Sequence, residues 1–260
     1  MSESTIMQEG GVEVAINKGI ATVTFHHPKS NSLPGHVLKQ LADTITELGG
    51  NDEARVIILQ SKGDKAFCAG ASFDELLSIE DFDTGKAFFM GFARVINAAR
   101  KCPKFLIGRV QGKAVGGGVG MASAVDYCLA MDSASVKLSE LAIGIGPFVV
   151  GPAVERKMGL SAFSDLAINA TQWRDAVWAK EKGLYIDIFA NFIELDAAVQ
   201  TLAGRLSTSS PEAMALLKKA MWTGTDHWDQ LLEERAAMSG QLVLSDFTSN
   251  AIRQFKEGAR

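Results

Sequence analysis

Along the chain, short runs in which apolar and polar residues alternate give way to stretches in which apolar residues recur every three or four positions. Val12, Val14 and Ile16 alternate with polar or small residues. Asn17-Lys18-Gly19 then turns the chain into Ile20-Ala21-Thr22-Val23-Thr24-Phe25, a hairpin pattern. Ser30-Asn31-Ser32-Leu33-Pro34 supplies a polar cap and a proline. Val37, Leu38, Leu41, Ile45 and Leu48 follow at helical spacing until Gly49-Gly50 stops them. The unbroken run Val56-Ile57-Ile58-Leu59 predicts a strand covered on both faces. Phe88, Phe92, Val95 and Ala99, with Phe89 and Ile96 beside them, predict a helix with an apolar core stripe. Phe105 to Val110 and Asp126 to Met131 read as further strands. Strands alternate with helices up to about Ile188, which predicts an α/β layered core. Helices follow: Ser210-Pro211 opens one carrying Met214, Leu217 and Met221, and Trp228, Leu231 and Leu232 start another.

Composition narrows the class. A chain of 260 residues, 47% of them hydrophobic, can bury a large core as one domain with an appendage. A net charge of −4 argues against general nucleic-acid binding. No apolar run is long enough to span a membrane, and Met1 to Gly10 lacks the apolar core of a signal peptide. Cys68, Cys102 and Cys128 are not spaced as metal ligands, so free thiols, no metal and a cytoplasmic address are expected.

Three stretches carry candidate chemistry. In Val110-Gln111-Gly112-Lys113-Ala114-Val115-Gly116-Gly117-Gly118-Val119-Gly120, a strand, a glycine turn and a helix opening on glycine are expected in succession. A helix N-terminus there would offer unpaired N–H groups to an anion, although a packing turn between strand and helix reads equally from the residues. It is not a dinucleotide fingerprint, because Met121 stands at the sixth position from Gly116. In Lys65-Ala66-Phe67-Cys68-Ala69-Gly70-Ala71-Ser72-Phe73-Asp74-Glu75-Leu76, Ser72 and Glu75 have capping-box spacing. In Val136-Lys137-Leu138-Ser139-Glu140-Leu141-Ala142-Ile143, one carboxylate stands among apolar residues. Glu140 is either an exposed loop glutamate or a base with a raised pKa. His26, His27 and His36 read as solvated or structural.

Taken together, His27-Pro28-Lys29-Ser30-Asn31-Ser32-Leu33, Ala66-Phe67-Cys68-Ala69-Gly70-Ala71, Gly116-Gly117-Gly118, Asp126, Ser139-Glu140 and Ser210-Pro211-Glu212-Ala213 resemble the crotonase superfamily, the enoyl-CoA hydratase/isomerase family. The resemblance runs from Thr22 to about Phe255. It implies a spiral of β-β-α repeats over residues 1–195 and a helical oligomerisation region over residues 196–260, assembled as a homotrimer or a dimer of trimers. It also implies an acyl-CoA thioester as substrate and no further cofactor. By position, the backbone N–H groups of Ala71 and Gly117 would hold the thioester oxygen as an enolate forms. Lys29, Ala69, Gly70 and Gly116 would line the path of the substrate and its CoA, with Lys256 a further CoA candidate. The pocket walls are expected from Leu76 to Phe92 and from Phe148 to Val154.

Two departures bear on the reaction. The hydratases of this family carry a glutamate three residues after the middle glycine and a second twenty residues later; here the first position is Gly120 and the second Glu140. With Asn31-Ser32-Leu33 and Gly146-Pro147-Phe148, this resembles the single-glutamate 3,2-enoyl-CoA isomerases. Ser72 stands where most members have aspartate. The expectation is therefore an isomerase with Glu140 as its acid and base. The alternatives are a hydratase, decarboxylase or hydrolase of the same fold, or a non-catalytic acyl-CoA binder.

Overall fold

The computed structural model describes residues 9–258, with side chains described as far as Gln254. Most of the stretch read for a leader, and the Lys256 side chain, lie outside the described residues. Twelve strands appear among them: β1 (Gly11–Asn17), β2 (Ile20–His26), β3 (Ser32–Leu33), β4 (Val56–Ser61), β5 (Ala66–Cys68), β6 (Gly70–Ala71), β7 (Leu106–Val110), β8 (Lys113–Val115), β9 (Tyr127–Met131), β10 (Ser135–Lys137), β11 (Arg174–Asp175) and β12 (Asp187–Phe189). The expected hairpin is present, with Val14 opposite Val23. From β2 onward the larger sheet is parallel, in the order β1-β2-β4-β7-β9-β12. A smaller sheet runs β11-β10-β8-β5.

The chain winds between these sheets as a spiral. It leaves β4 for β5 and then a helical stretch, leaves β7 for β8 and a helix, and leaves β9 for β10 and more helices. The mixed α/β architecture with β-β-α turns is thus as expected. One detail differs: β7 does not run straight into the glycine turn, because Gln111-Gly112 carries the chain across to the second sheet and β8 leads in instead.

Val56 to Leu59 is unbroken because both faces of the sheet are covered. Ile57 and Leu59 face the main core with Leu38, Leu41 and Ile45 of the helix Gly35–Gly50 and Val95, Ile96 and Ala99 of the helix Phe82–Lys101. Val56 and Ile58 face Leu195, Val199 and Ala203 of the helix Phe192–Ser207. Burying one such side chain contributes about 2 kcal/mol, against about 1 kcal/mol for a typical hydrogen bond. The two-sided core, not the short strands of the second sheet, therefore holds the spiral.

The expected boundary after residue 195 falls inside the helix Phe192–Ser207, which packs on the sheet as part of the core. Beyond it the chain is helical, as expected. Trp228, Leu232 and Ala236 of the helix Trp228–Leu242 join the main core. The helix Pro211–Met221, capped by Ser210, is tied down by a buried ion pair, Lys218 Nζ to Asp126 Oδ2 at 2.8 Å. Asp126 also accepts from Leu106 N and Trp222 Nε1, both at 2.8 Å. Such a pair fixes register more than it adds stability. All three cysteines are free and buried, Cys128 within β9 and Cys102 at the C-terminal cap of the helix Phe82–Lys101.

Candidate active site

Two loops end on short helices whose first residues face one another across a cavity. On the first, Gly116 takes a left-handed φ of +52° and donates its N–H to Lys137 O at 2.9 Å. Gly117 is then the first residue of the helix Gly117–Ala124, and no side chain caps it. Helical geometry leaves its N–H without an intrahelical acceptor. On the second, β6 ends at Ala71 and Ser72 caps the helix Phe73–Leu77, accepting from Glu75 N at 3.3 Å. Ser32 donates its hydroxyl hydrogen to Ala71 O at 2.8 Å, which fixes that peptide. Cys68 Sγ accepts from Gly70 N at 3.4 Å, and burial pushes its thiol up to about 12. Only half of the expected capping box forms: the Glu75 carboxylate accepts instead from Gly35 N at 2.8 Å.

The cavity between the loops has a volume of about 900 Å³, and Lys29, Ala69, Gly70, Ala71, Gly116, Gly117 and Glu140 all line it. Every residue singled out for the site is thus brought together, Lys256 aside. Glu140 begins a 3-10 turn, Glu140–Ile143, after β10. A Cβ on Gly116 would lie 2.9 Å from Glu140 Oε1, so the carboxyl group packs directly on the glycine turn. Its Oε2 is sealed from solvent and has no hydrogen-bond partner. Burial raises its pKa from 4.5 to about 7, opposed in part by the backbone N–H groups of Glu140 and Ser139. No neighbouring charge contributes to that shift. The exposed-loop reading of Glu140 therefore does not hold, because its carboxyl group is packed against the glycine turn.

The glycines show where side chains are excluded. At Gly117 a Cβ would meet the Phe92 ring at 2.3 Å, so a side chain there would strike the cavity wall before any bound thioester. Gly120 is buried and does not line the cavity. A Cβ at Gly120 would meet Val150 Cγ1 at 2.5 Å and Ile96 Cδ1 at 3.6 Å. Val150 thus occupies the space in which a side chain at that position would have to start. Among the described residues, Glu140 and Asp74 are the carboxylates lining the cavity, and Asp74 is exposed and ion-paired with Lys29.

The His27 to Leu33 motif holds the loop that carries Lys29. Asn31, buried and left-handed, accepts from His27 N at 2.9 Å and donates to Lys62 O and Ala66 O at 3.0 and 2.9 Å. Lys137 also lines the cavity, and the sequence did not single it out. Its Nζ stands 4.6 Å from the Trp173 ring centroid, with Lys113 Nζ at 5.1 Å from the same ring. Periodicity could not reveal this cluster, since Lys113 lies on β8, Lys137 on β10 and Trp173 in the loop just before β11. The expected core stripe also divides: Val95 and Ala99 are core, whereas Phe88, Phe89 and Phe92 line the cavity. Of the expected second wall, Phe148, Val149 and Val150 line it, while Ala153 and Val154 are core.

Residues 15–259 match the family model described as enoyl-CoA hydratase/isomerase. Among curated relatives, a probable enoyl-CoA hydratase of Bacillus subtilis is 24% identical over 95% of each chain. The human mitochondrial methylglutaconyl-CoA hydratase is 30% identical, covering 81% of this chain and 63% of its own. In fold, the chain is similar to the crystal structure of an enoyl-CoA hydratase from Bacillus halodurans, with a TM-score of 0.86 and 22% identity over 94% of this chain and 99% of that one. Among the described residues, no helix is long and apolar enough to cross a membrane.

Proposed function

The chain belongs to the enoyl-CoA hydratase/isomerase family, and from that premise we propose that it is an acyl-CoA isomerase moving a double bond from the 3,4 to the 2,3 position. The observation that carries the reading is the buried carboxyl group of Glu140, packed on the glycine turn, with no second buried carboxylate lining the cavity among the described residues. In the proposed reaction, Glu140 takes a proton from C2 of a 3-enoyl thioester. The C–H electron pair moves into the thioester, giving a dienolate whose oxygen is held by the N–H groups of Ala71 and Gly117. Protonated Glu140 then returns the proton to C4, and the double bond ends between C2 and C3. A base poised near neutrality suits both transfers. Donors preorganised toward a charge that appears only during reaction are each worth about 3 kcal/mol in analogous sites. The exposed side of the cavity, where Lys29 and Lys137 stand, suits the phosphates of CoA.

Hydration is the second reading, favoured by relatives that are hydratases by name. It requires Glu140 alone both to activate water and to deliver a proton to the α-carbon. A comparison of rates on 3-enoyl-CoA and 2-enoyl-CoA of matched chain length separates the two. Isomerisation should be much the faster; hydration equal to it or faster would replace the isomerase reading.

A further inference from the structure

We infer that the acyl group taken by this site is uncharged, apolar and of medium length, ending in a straight chain or an aryl ring. This rests on the acyl-CoA reading above and concerns the aromatic part of the cavity lining. There the helix Phe82–Lys101 presents Phe88, Phe89 and Phe92 toward Leu76, Ile143 and Ile145. Phe88 and Phe89 stand edge to face, 5.0 Å between centroids and 89° between planes. Both are only partly buried and pack against an apolar cluster of Leu76, Ile145, Val243 and Ile252.

Charge and volume decide the class. The cations lining the cavity are Lys29 and Lys137, the first held by Asp74 and the second over Trp173. Among the described residues no other lysine, and no arginine or histidine, lines the cavity, so its aromatic wall carries no further cation of its own. A carboxylate at the end of an acyl chain would be desolvated there without a partner, which is strongly unfavourable. A volume of about 900 Å³ is large for a small-molecule site. A four-carbon acyl group would leave much of the aromatic wall uncovered. Each further methylene that covers it should tighten binding about fourfold, and an aryl ring can meet the rings at 88 and 89 face to edge.

The test uses the full chain and saturated thioesters, which have no double bond to move or hydrate, so binding is read apart from reaction type. Calorimetric titration with CoA, butyryl-, octanoyl-, 4-phenylbutyryl- and glutaryl-CoA gives the series. Octanoyl-CoA should bind on the order of 10²-fold more tightly than butyryl-CoA, 4-phenylbutyryl-CoA at least about tenfold more tightly, and glutaryl-CoA more weakly than butyryl-CoA. A gain for octanoyl-CoA alone assigns a straight chain; a gain for 4-phenylbutyryl-CoA alone assigns an aryl end. Equal binding of butyryl-, octanoyl- and 4-phenylbutyryl-CoA, or glutaryl-CoA binding at least as tightly as butyryl-CoA, overturns the inference. Failure of every thioester to bind better than CoA would sink the acyl-CoA reading itself. In Phe88→Ala the octanoyl gain should shrink several-fold; an unchanged gain in a folded variant would put the acyl group elsewhere.

Discussion

Glu140 sets two opposite pH dependences. As the proposed base it would act ionised, so kcat/KM should rise about tenfold per pH unit below about pH 7 and level off above it. For stability the sign reverses. Because its folded pKa lies above its ordinary value of 4.5, the folded chain binds more protons than the unfolded chain between about pH 4.5 and 7. Stability is then lost as pH rises through that window, by about 3 kcal/mol at most. Glu140→Gln stays neutral throughout. It should cut kcat by 10²- to 10⁴-fold while raising the unfolding midpoint relative to wild type at pH 8 and not at pH 4.5. Denaturant melts at both pH values, beside turnover on the best substrate, test the pair of claims. A variant keeping more than about a tenth of wild-type kcat would remove Glu140 as the base.

At the scale of the element, the helix Gly117–Ala124 is buried along its length, its first residue at the cavity wall and the rest within the core. Gly120→Glu alone is therefore expected to destabilise the fold, not to supply a second carboxylate, since its Cβ would enter Val150. Overpacking of this kind costs about 1–3 kcal/mol, and the buried charge adds to it. Gly120→Ala should already show the steric part, and Val150→Gly in the same chain should relieve it; a Gly120→Ala melt indistinguishable from wild type would contradict the packing argument. Gly117→Ala should likewise lose stability as well as activity, because it strikes Phe92. These contacts mark what the sequence could not disclose. The longer strands and helices, the cap at Ser72 and the lone carboxyl at 140 are local patterns, and local patterns are legible; the short strand β8 is not, and Ala71 and Gly117 are placed only by resemblance. The identity of the group opposite each glycine is not. Val150 against Gly120, Gly35 N–H on Glu75 and Lys218 on Asp126 are contacts between distant parts of the chain. Neither helical nor strand periodicity encodes which of two suitable partners will arrive.

Across the molecule, the C-terminal helices divide their apolar residues between inside and out. Met214 and Trp228 are buried within the chain, whereas Leu217 is 55% exposed, Met221 44% and Phe247 67%. Apolar area left open on a terminal region favours association, and light scattering at micromolar concentration should give the mass of three or six chains. A monomeric mass would contradict that assembly. The burial of the cysteines has a different consequence, one of chemical reactivity. Thiolate is the form that reacts with disulfides and alkylating agents. With Cys68 and Cys128 both pushed up to about 12 and shut from solvent, these two thiols should be inert to such reagents in the native chain at neutral pH. Modification then proceeds only as fast as the chain opens, and the two sulfurs keep separate time. Cys128 records the parting of the central strands, while Cys68, bonded to Gly70 N, records the loosening of the loop that carries Ala71. Comparing the two labelling rates reads the mobility of that loop against that of the whole fold.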